Sequence, residues 1–214
     1  MPKFLSNNYY SIVAPTHENI ISAVAILQEG GLVAFPTETV YGLGAAAEDD
    51  AAVQAIYTTK GRPSHNPLIV HVLNPYMAEA YGVMTLFARA LMPLFMQGLT
   101  IVCPVQGARL ARSVRAGGDT VALRIPQHPV AQALIGALNA GIAAPSANRS
   151  GRISPTKAAH VDCEFQNNAG GLRLILNGGA CGIGLESSVV DCSAEEVRLL
   201  RAGSIPLEKI SQFV

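Results

Sequence analysis

The chain has 214 residues, half of them hydrophobic, and it contains no tryptophan. Fifteen basic and fifteen acidic residues give a formal net charge of zero, which excludes a strong overall field that would attract nucleic acid or an anionic membrane surface. The hydrophobic content, together with 20 glycines and 13 prolines, excludes a disordered or fibrous chain and is typical of an α/β protein with many tight turns.

Hydrophobic periodicity predicts helices and strands that alternate along the chain. Apolar residues recur at helical spacing over 18–28, and Gly30–Gly31 follows where the helix should stop. A buried strand predicted over 32–35 ends at Pro36 and places the polar segment 37–39 at its carboxyl end. The remaining predicted elements are a helix after Asp50, a strand over 68–72, helices over 75–81 and 85–96, strands over 99–104 and 120–125, a helix over 129–139, a strand over 142–144, a helix over 155–163, and strands over 172–176, 188–192 and 197–201. Since no strict βαβ period is present, we predict an α/β (α+β) chain with an open, twisted, mixed sheet flanked by helices.

The amino-terminal residues, the lack of a linker and the cysteine spacing further restrict the class of protein. The first residues, MPKFLSNNYYSIVAP, lack the charged start and apolar run of a secretory signal, and no stretch is long enough to span a membrane, so we expect a cytoplasmic protein without a membrane partner. No linker interrupts the chain, which predicts one domain over 1–214. The cysteines show no CxxC or His-paired spacing, which predicts buried reduced thiols rather than a zinc site or disulfides at Cys103, Cys163, Cys181 and Cys192.

Four polar segments follow apolar strands or adjoin glycines. They are PTETVYGLG at 36–44, KGRPSHNPLIVH at 60–71, APSANRSGRISPT at 144–156, and ESSVVD with RAGSIP at 186–206. Ligands of open sheets collect at strand ends, so these segments are expected to converge on one cleft. Neither a P-loop nor a GxGxxG motif is present, so any bound phosphate must be held in another way.

Lys60 and Arg62 flank Gly61, a spacing that presents two cations to one target such as a triphosphate. A solvated basic turn at a helix end explains the same spacing, so the pair alone leaves both interpretations open. Asn66 and Arg201 could add further donors.

The APSAN segment offers small donors suited to phosphate or adenine, among them Ser146, Asn148 and Ser154, although such residues also form ordinary turns and helix caps. Ser146 lies in PSAN rather than GxSxG, and no base pairs with it in sequence, so we reject a hydrolase nucleophile. His71, at the end of LIVH, is by itself more typical of a half-buried histidine than of a catalyst. Arg124 lies in the apolar run VALRIP, where a guanidinium needs a carboxylate or phosphate partner, and a substrate carboxylate is one candidate.

Taken in order, PTETVYGLG, KGRP with NPLIVH, RIP, APSAN, and ESSVVD followed by RAG resemble the YrdC-type threonylcarbamoyl-adenylate synthase family, from about Gly30 to Pro206. The resemblance implies a YrdC-like twisted sheet with a large concave cleft that holds ATP and L-threonine side by side. It implies ATP contacts at Lys60, Arg62, Asn66, Thr120, Ser146, Asn148, Ser154 and Arg201. It implies threonine contacts at Thr39, His71, Arg124, Ala144 and Ser187, with Tyr41 nearby.

The implied reaction combines L-threonine, bicarbonate and ATP into threonylcarbamoyl-AMP and diphosphate, for N6-threonylcarbamoyladenosine modification of tRNA. Lys60 and Arg62 would stabilise charge during catalysis, and a downstream tRNA threonylcarbamoyl transferase would take the product. We expect Mg²⁺ to be held mainly by the ATP phosphates rather than by protein ligands. Weak, direct tRNA binding is left open.

Two departures from the family pattern are visible, and two other functions remain as alternatives. The family commonly reads FWPGPLT where this chain has FMQGLT from Phe95, and the longer branch has a second domain, so the chain resembles the single-domain form or the first domain of the longer form. A carbamoyl-adenylating domain related to hydrogenase maturation is one alternative, although its zinc-finger-like cysteine pairs are missing here. The other is an RNA-binding module of the same fold, against which the neutral charge and the scarce aromatic residues weigh.

Overall fold

The computed structural model describes residues 10–214, so the first nine residues of the segment compared with a secretory signal lie outside the described residues. The strands are β1 (Ser11–Val13), β2 (Leu32–Pro36), β3 (Tyr41–Ala46), β4 (Ile69–His71), β5 (Thr100–Pro104), β6 (Thr120–Arg124), β7 (Ile142–Ala143), β8 (Leu172–Leu176), β9 (Val189–Asp191) and β10 (Arg198–Arg201). The helices are α1 (His17–Gln28), α2 (Asp50–Lys60), α3 (Pro75–Glu79), α4 (Leu86–Ala90), α5 (Met92–Phe95), α6 (Pro129–Leu138), α7 (Ala158–Phe165) and α8 (Leu207–Ile210), with a 3₁₀ turn at Arg112–Arg115.

The strands form one mixed sheet in the order β1-β8-β2-β3-β7-β4-β6-β5-β9-β10. The sheet contains parallel pairs (β1 with β8, β2 with β8, β4 with β6, β5 with β9) and antiparallel pairs such as β2 with β3 and β5 with β6. This arrangement confirms the predicted mixed sheet flanked by helices.

Strand β2 is buried on both faces, which explains why its sequence, LVAFP, is an uninterrupted apolar run. Val33 and Phe35 belong to a core layer that includes buried side chains of α1 and α6. Leu32 and Ala34 belong to the layer on the opposite face, which includes buried side chains of α2 and α7. Helices therefore cover both faces of the sheet around β2.

The predicted helix over 85–96 is two short helices in the structure. Leu91 (φ −81°, ψ 2°) departs from helical geometry between α4 and α5, and Pro93, which lacks an N–H, lies in the first turn of α5. The helix predicted over 155–163 begins only at Ala158 and runs to Phe165, because the Pro155 carbonyl accepts a hydrogen bond from the backbone of β3.

The sequence analysis did not predict β1, β3, α8 or the 3₁₀ turn at Arg112–Arg115. The β3 sequence, YGLGAA, overlaps the segment 36–44, to which no strand was assigned. A Cβ at Gly44 would lie 2.7 Å from both Ile142 and Phe35, so this strand needs glycine in order to pack. The prediction that all four cysteines are buried is wrong for Cys163, which is exposed, and Cys181 is only half-buried. Over residues 10–214, no helix combines the length and the apolar character that a bilayer span requires.

Candidate active site

A cleft of about 610 Å³ opens over the middle of the sheet. Strands β4, β6, β5 and β9 present one face to the core and the other to this cleft, because successive side chains of a strand point to opposite faces. On β6, for example, Val121 and Leu123 are buried in the core, whereas Ala122 and Arg124 line the cleft. A volume of this size is typical of small-molecule sites.

His71, Arg124 and Thr100 occupy one row across three neighbouring strands. The register pairs His71 of β4 with Arg124 of β6, and Arg124 with Thr100 of β5. All three side chains are buried, and His71 and Arg124 line the cleft. Sheet register therefore brings together two site residues that are 53 positions apart in the chain.

The Arg124 guanidinium is bound on several sides by the protein itself. Nη2 donates to Glu38 Oε1 at 2.6 Å and to Thr39 Oγ1 at 2.8 Å, and Nε donates to the Gly98 carbonyl at 3.2 Å. Nη1 lies 3.4 Å from His71 Nε2, and Arg124 as a whole lines the cleft. The carboxylate partner that the sequence required for Arg124 is thus Glu38, a protein group that the sequence analysis did not assign to the site.

Glu38 is also fixed at its second oxygen. Oε2 accepts a hydrogen bond from the Gln127 backbone N–H at 2.7 Å. Gly98, within the FMQGLT segment that departs from the family pattern, has φ +93°, and a Cβ there would lie 2.4 Å from Glu38 Oε1. The altered segment therefore keeps the glycine that this close approach needs.

His71 is neutral in the folded protein. Burial, followed by the neighbouring charge of Arg124, lowers the pKa of His71 to about 3. Nδ1 has no hydrogen-bond partner among the described residues. A neutral imidazole beside a guanidinium can contribute a hydrogen bond without adding a second positive charge.

The depressed pKa of His71 predicts a pH-dependent stability. The unfolded pKa is about 6.5, so below that pH the unfolded chain binds a proton that folded His71 rejects until about pH 3. The free energy of unfolding should therefore decrease as pH falls from 6.5, with up to about 1.4 kcal/mol per pH unit arising from this group. Urea denaturation at about pH 7, 6 and 5 measures the free energy of unfolding at each pH. The slope of this free energy against pH should be smaller for His71→Gln than for the wild type. The exposed His65→Gln should keep the wild-type slope, and equal slopes for His71→Gln and the wild type would contradict a neutral His71.

Lys60 and Arg62 are positioned by the end of α2. Gly61 follows the helix in the left-handed conformation (φ 62°). The side chains of its two neighbours, Lys60 and Arg62, point in different directions. Arg62 lines the cleft and donates through Nε and Nη2 to the carbonyls of Asn66 (3.2 Å) and Pro67 (3.1 Å).

Lys60 instead points into the protein beside the APSAN segment. Its buried Nζ donates to the carbonyls of Ser146 and Asn148, 86 and 88 residues away. Burial, followed by repulsion from Arg62, lowers the pKa of Lys60 to about 8, so the ammonium remains charged near pH 7. Lys60 thereby fixes the segment that contains Ser146.

The APSAN segment borders the cleft through Ala144, Pro145 and Ser146. Asn148 is buried, its Nδ2 donates to the carbonyls of Arg149 and Arg152 at 2.8 Å each, and its Oδ1 has no partner within residues 10–214. These amide bonds hold the turn that leads to Ser154.

Arg201 and Glu186 also line the cleft. Arg201 donates through Nη1 to Glu186 Oε2, and through Nε and Nη2 to the Ser187 carbonyl (3.0 Å) and hydroxyl (3.1 Å). The Ser187 hydroxyl lies 2.7 Å from Thr100 Oγ1, and Ser154 donates to Glu186 Oε1 at 2.9 Å. Glu186 was not predicted to belong to the site.

The structure brings most of the sequence-predicted site residues to one cleft. Its lining includes Arg62, Asn66, Ser146 and Arg201 of the predicted ATP group, all of the predicted threonine group (Thr39, His71, Arg124, Ala144 and Ser187), and Tyr41. Four predicted ATP contacts lie outside this lining: Lys60, Thr120, Asn148 and Ser154. Thr120 starts β6 on the face that also carries Ala122 and Arg124, and Ser154 contacts the cleft through Glu186.

Few carboxylates are available for a metal ion. The described part of the chain contains no group of three or more His, Cys, Asp or Glu side chains placed to bind one, and Glu186 is the only acidic residue in the cleft lining. This donor set fits a magnesium ion that takes most of its ligands from phosphate and water.

Comparison with known proteins identifies the family. The model of the Sua5/YciO/YrdC family, described as "Telomere recombination", matches residues 25–203. The chain belongs to the Sua5/YciO/YrdC family. This membership confirms the resemblance found in the sequence motifs.

Individual relatives of the family agree with this result. The chain is 47% identical to a protein of Bacillus subtilis named "Threonylcarbamoyl-AMP synthase", over 91% of this chain and 56% of that protein. A crystal structure of Pyrococcus abyssi Sua5 complexed with L-threonine matches with a TM-score of 0.88 and 42% identity, over 96% of this chain and 60% of that one. The chain thus spans little more than half the length of these two relatives.

A third relative shows the fold alone. Escherichia coli YciO matches with a TM-score of 0.81 at 22% identity, over 98% of this chain and 100% of that one. This chain therefore has the same fold as YciO.

Proposed function

We propose that this chain is an L-threonylcarbamoyladenylate synthase, a nucleotidyltransferase that converts L-threonine, bicarbonate and ATP into threonylcarbamoyl-AMP and diphosphate. One observation carries the proposal: a single cleft joins a wall containing Arg62 and Arg201 to a buried corner containing Arg124, His71 and Thr39. The first wall suits phosphates and the second suits an amino acid. The name of the B. subtilis relative and the threonine bound to P. abyssi Sua5 support this assignment over an RNA-binding module or a hydrogenase-related carbamoyl-adenylating domain.

The proposed reaction has two bond-forming steps. The neutral threonine amine adds to CO₂ derived from bicarbonate and loses a proton, which forms the N–C bond of a carbamate. A carbamate oxygen then attacks the α-phosphorus of ATP in line, and the bond from that phosphorus to the bridging oxygen breaks as diphosphate leaves. No protein nucleophile is required, so the protein acts through positioning and through charge stabilisation.

Within this proposal the cleft residues have distinct roles. Arg62 and Arg201 bind phosphate oxygens, Ser146 and Asn66 add donors, and Lys60 holds the Ser146 segment in place. Arg124 binds the threonine carboxylate through the guanidinium edge that faces the cleft, with Thr39, His71, Ser187 and Ala144 around the amino acid. Bound Mg²⁺ would neutralise phosphate charge, held mainly by the phosphates and water.

The proposal also covers the cellular setting. The product is an activated carbamate, so a downstream transferase that acts on tRNA adenosine would consume it in the cytoplasm. Direct tRNA binding, if present, would be weak because the chain has no net charge.

The activity is tested by incubating the protein with L-threonine, bicarbonate and Mg-ATP. Diphosphate release should require both threonine and bicarbonate, and serine should react more slowly because it lacks a methyl group worth about 1–3 kcal/mol in a fitted pocket. Diphosphate release that persists with threonine alone in bicarbonate-depleted buffer would contradict the proposal.

Replacing Arg62 with alanine should weaken ATP binding by roughly tenfold or more while leaving threonine affinity nearly unchanged, because one charge-assisted phosphate contact is lost. Separate calorimetric titrations of ATP and threonine measure both effects. Arg89→Ala, which removes an exposed ion pair with Glu79 outside the cleft, is the control and should resemble the wild type. A folded Arg62→Ala protein that loses threonine but keeps ATP would overturn the assignment.

A further inference from the structure

Glu186 is the one carboxylate in the lining of a cleft that presents three arginines, considering residues 10–214. Its two oxygens are both engaged: Oε2 accepts from Arg201 Nη1, and Oε1 accepts from the Ser154 hydroxyl at 2.9 Å. Arg201 and Ser154 are two of the eight residues for which the family motifs imply nucleotide contacts. A protein anion therefore occupies donors that a phosphate would need.

The surroundings of Glu186 are cationic beyond Arg201. Burial lowers the pKa of Arg62. The charges of Tyr57 and Glu186 oppose this decrease, whereas the charge of Arg201 adds to it. Glu186 and Arg201 therefore lie within the electrostatic reach of Arg62. Lys60 experiences the charge of Glu186 as well. Glu186 thus partly neutralises a group of cations that otherwise repel one another.

Arg201 does not depend on Glu186 for its position. Nε and Nη2 donate to the carbonyl and hydroxyl of Ser187, and that hydroxyl is fixed in turn by Thr100. Only Nη1 would have to change its partner when an anionic ligand enters. The guanidinium can therefore exchange one carboxylate for one phosphate oxygen without moving.

The exchange is energetically accessible because the pair is partly exposed. The side chains of Arg201 and Glu186 are 38% and 35% exposed, and an ion pair in such a position contributes little to folding stability. The Glu186 backbone is held separately, since its carbonyl accepts from the Ser204 N–H at 2.9 Å. The carboxylate can therefore move away from Arg201 while the backbone that leads into β9 stays in place.

We propose that Glu186 is an internal counter-anion which the phosphates of the nucleotide displace from Arg201 and Ser154, and which returns when diphosphate leaves. The inference rests on the proposed function for the identity of the nucleotide, but the exchange itself requires only a phosphate anion. Glu186 thereby weakens phosphate binding and makes phosphate release faster. It also disfavours the binding of anions whose charge is too small to displace it.

The test measures binding of inorganic diphosphate, without divalent cations, to the wild type and to Glu186→Gln. Glutamine keeps an oxygen for Ser154 but lacks the competing charge, so the variant should bind diphosphate about tenfold more tightly. Glu29→Gln is the matched control, because it removes the same charge from an exposed pair with Arg173 outside the cleft lining, and it should bind like the wild type. Glu186→Asp retains the charge and should remain closer to the wild type than the glutamine variant does.

A measurement on the wild type does not depend on whether the variants fold. The carboxyl ¹³C resonance of Glu186 should shift when diphosphate is added, and an unchanged resonance at saturating diphosphate would overturn the exchange. Equal or weaker diphosphate binding by folded Glu186→Gln, or no binding by either protein, would overturn it too.

Turnover of the wild type separates this inference from the proposed function. If the wild type forms threonylcarbamoyl-AMP but Glu186→Gln does not bind diphosphate more tightly, the exchange is wrong and the function stands. If the variant binds more tightly while the wild type forms no adenylate, the exchange stands and the proposed function fails.

Discussion

Replacing Arg124 with alanine should abolish measurable threonine binding and lower the free energy of unfolding by about 3–5 kcal/mol. The loss of binding follows from removing the guanidinium proposed to bind the substrate carboxylate. The loss of stability follows from Glu38, whose carboxylate is only 16% exposed and pairs with Arg124 at 2.6 Å, so the alanine variant leaves it without its cation. Calorimetric titration with threonine and urea denaturation followed by circular dichroism measure the two effects.

A double variant separates the two effects of losing Arg124. Glu38→Gln/Arg124→Gln removes both charges together, so it should recover most of the lost stability without recovering threonine binding. Arg124→Lys should also bind threonine poorly, because the ammonium cannot reproduce the planar fork that contacts Glu38, Thr39 and Gly98 at once. Normal threonine affinity in any folded Arg124 variant would show that the carboxylate binds elsewhere.

Replacing Lys60 with methionine should reduce kcat/KM by about 100-fold or more while the protein stays folded. Methionine fills a similar volume and removes a desolvated charge, which favours folding, but the carbonyls of Ser146 and Asn148 lose their common donor. Because the same segment contains Ala144 on the proposed threonine side, both ATP and threonine should bind more weakly. This double loss distinguishes Lys60→Met from Arg62→Ala, which should affect ATP alone.

The exposed Lys157→Met provides the matched control, since it removes a cation outside the cleft lining. It should retain wild-type kinetics and ligand affinities. If Lys60→Met weakened ATP binding but left threonine affinity intact, Lys60 would act by direct phosphate contact rather than by holding the APSAN segment.

Much of the fold follows from local sequence patterns. The predicted strands over 32–35 and 172–176 and the helices over 18–28 and 129–139 match the structure closely, because continuous apolar runs and helical periodicity were unambiguous there. The pattern failed to predict β3, in which Gly44 packs closely against Phe35 and Ile142. It also failed to place the junction at Leu91, where apolar residues continue across two short helices.

The site was predictable in its motifs but not in its internal pairings. Ordered polar segments at strand ends indicated most of the residues that share the cleft, although Lys60, Thr120, Asn148 and Ser154 lie outside its lining. They could not reveal that Glu38 pairs with Arg124, 86 positions away, or that Lys60 binds carbonyls of the APSAN segment, because sheet register and loop packing create these contacts. The acidic partners Glu38 and Glu186 lie directly beside predicted residues in PTET and ESS, so charge balance around Arg124 and Arg201 was the available signal.

Mass spectrometry of the product formed from L-threonine, ATP and ¹³C-bicarbonate tests the central claim most directly. The account predicts an adenylate with the mass of threonylcarbamoyl-AMP that carries the ¹³C label, formed together with diphosphate. An unlabelled threonyl-AMP, or an adenylate that forms equally well without bicarbonate, would contradict it.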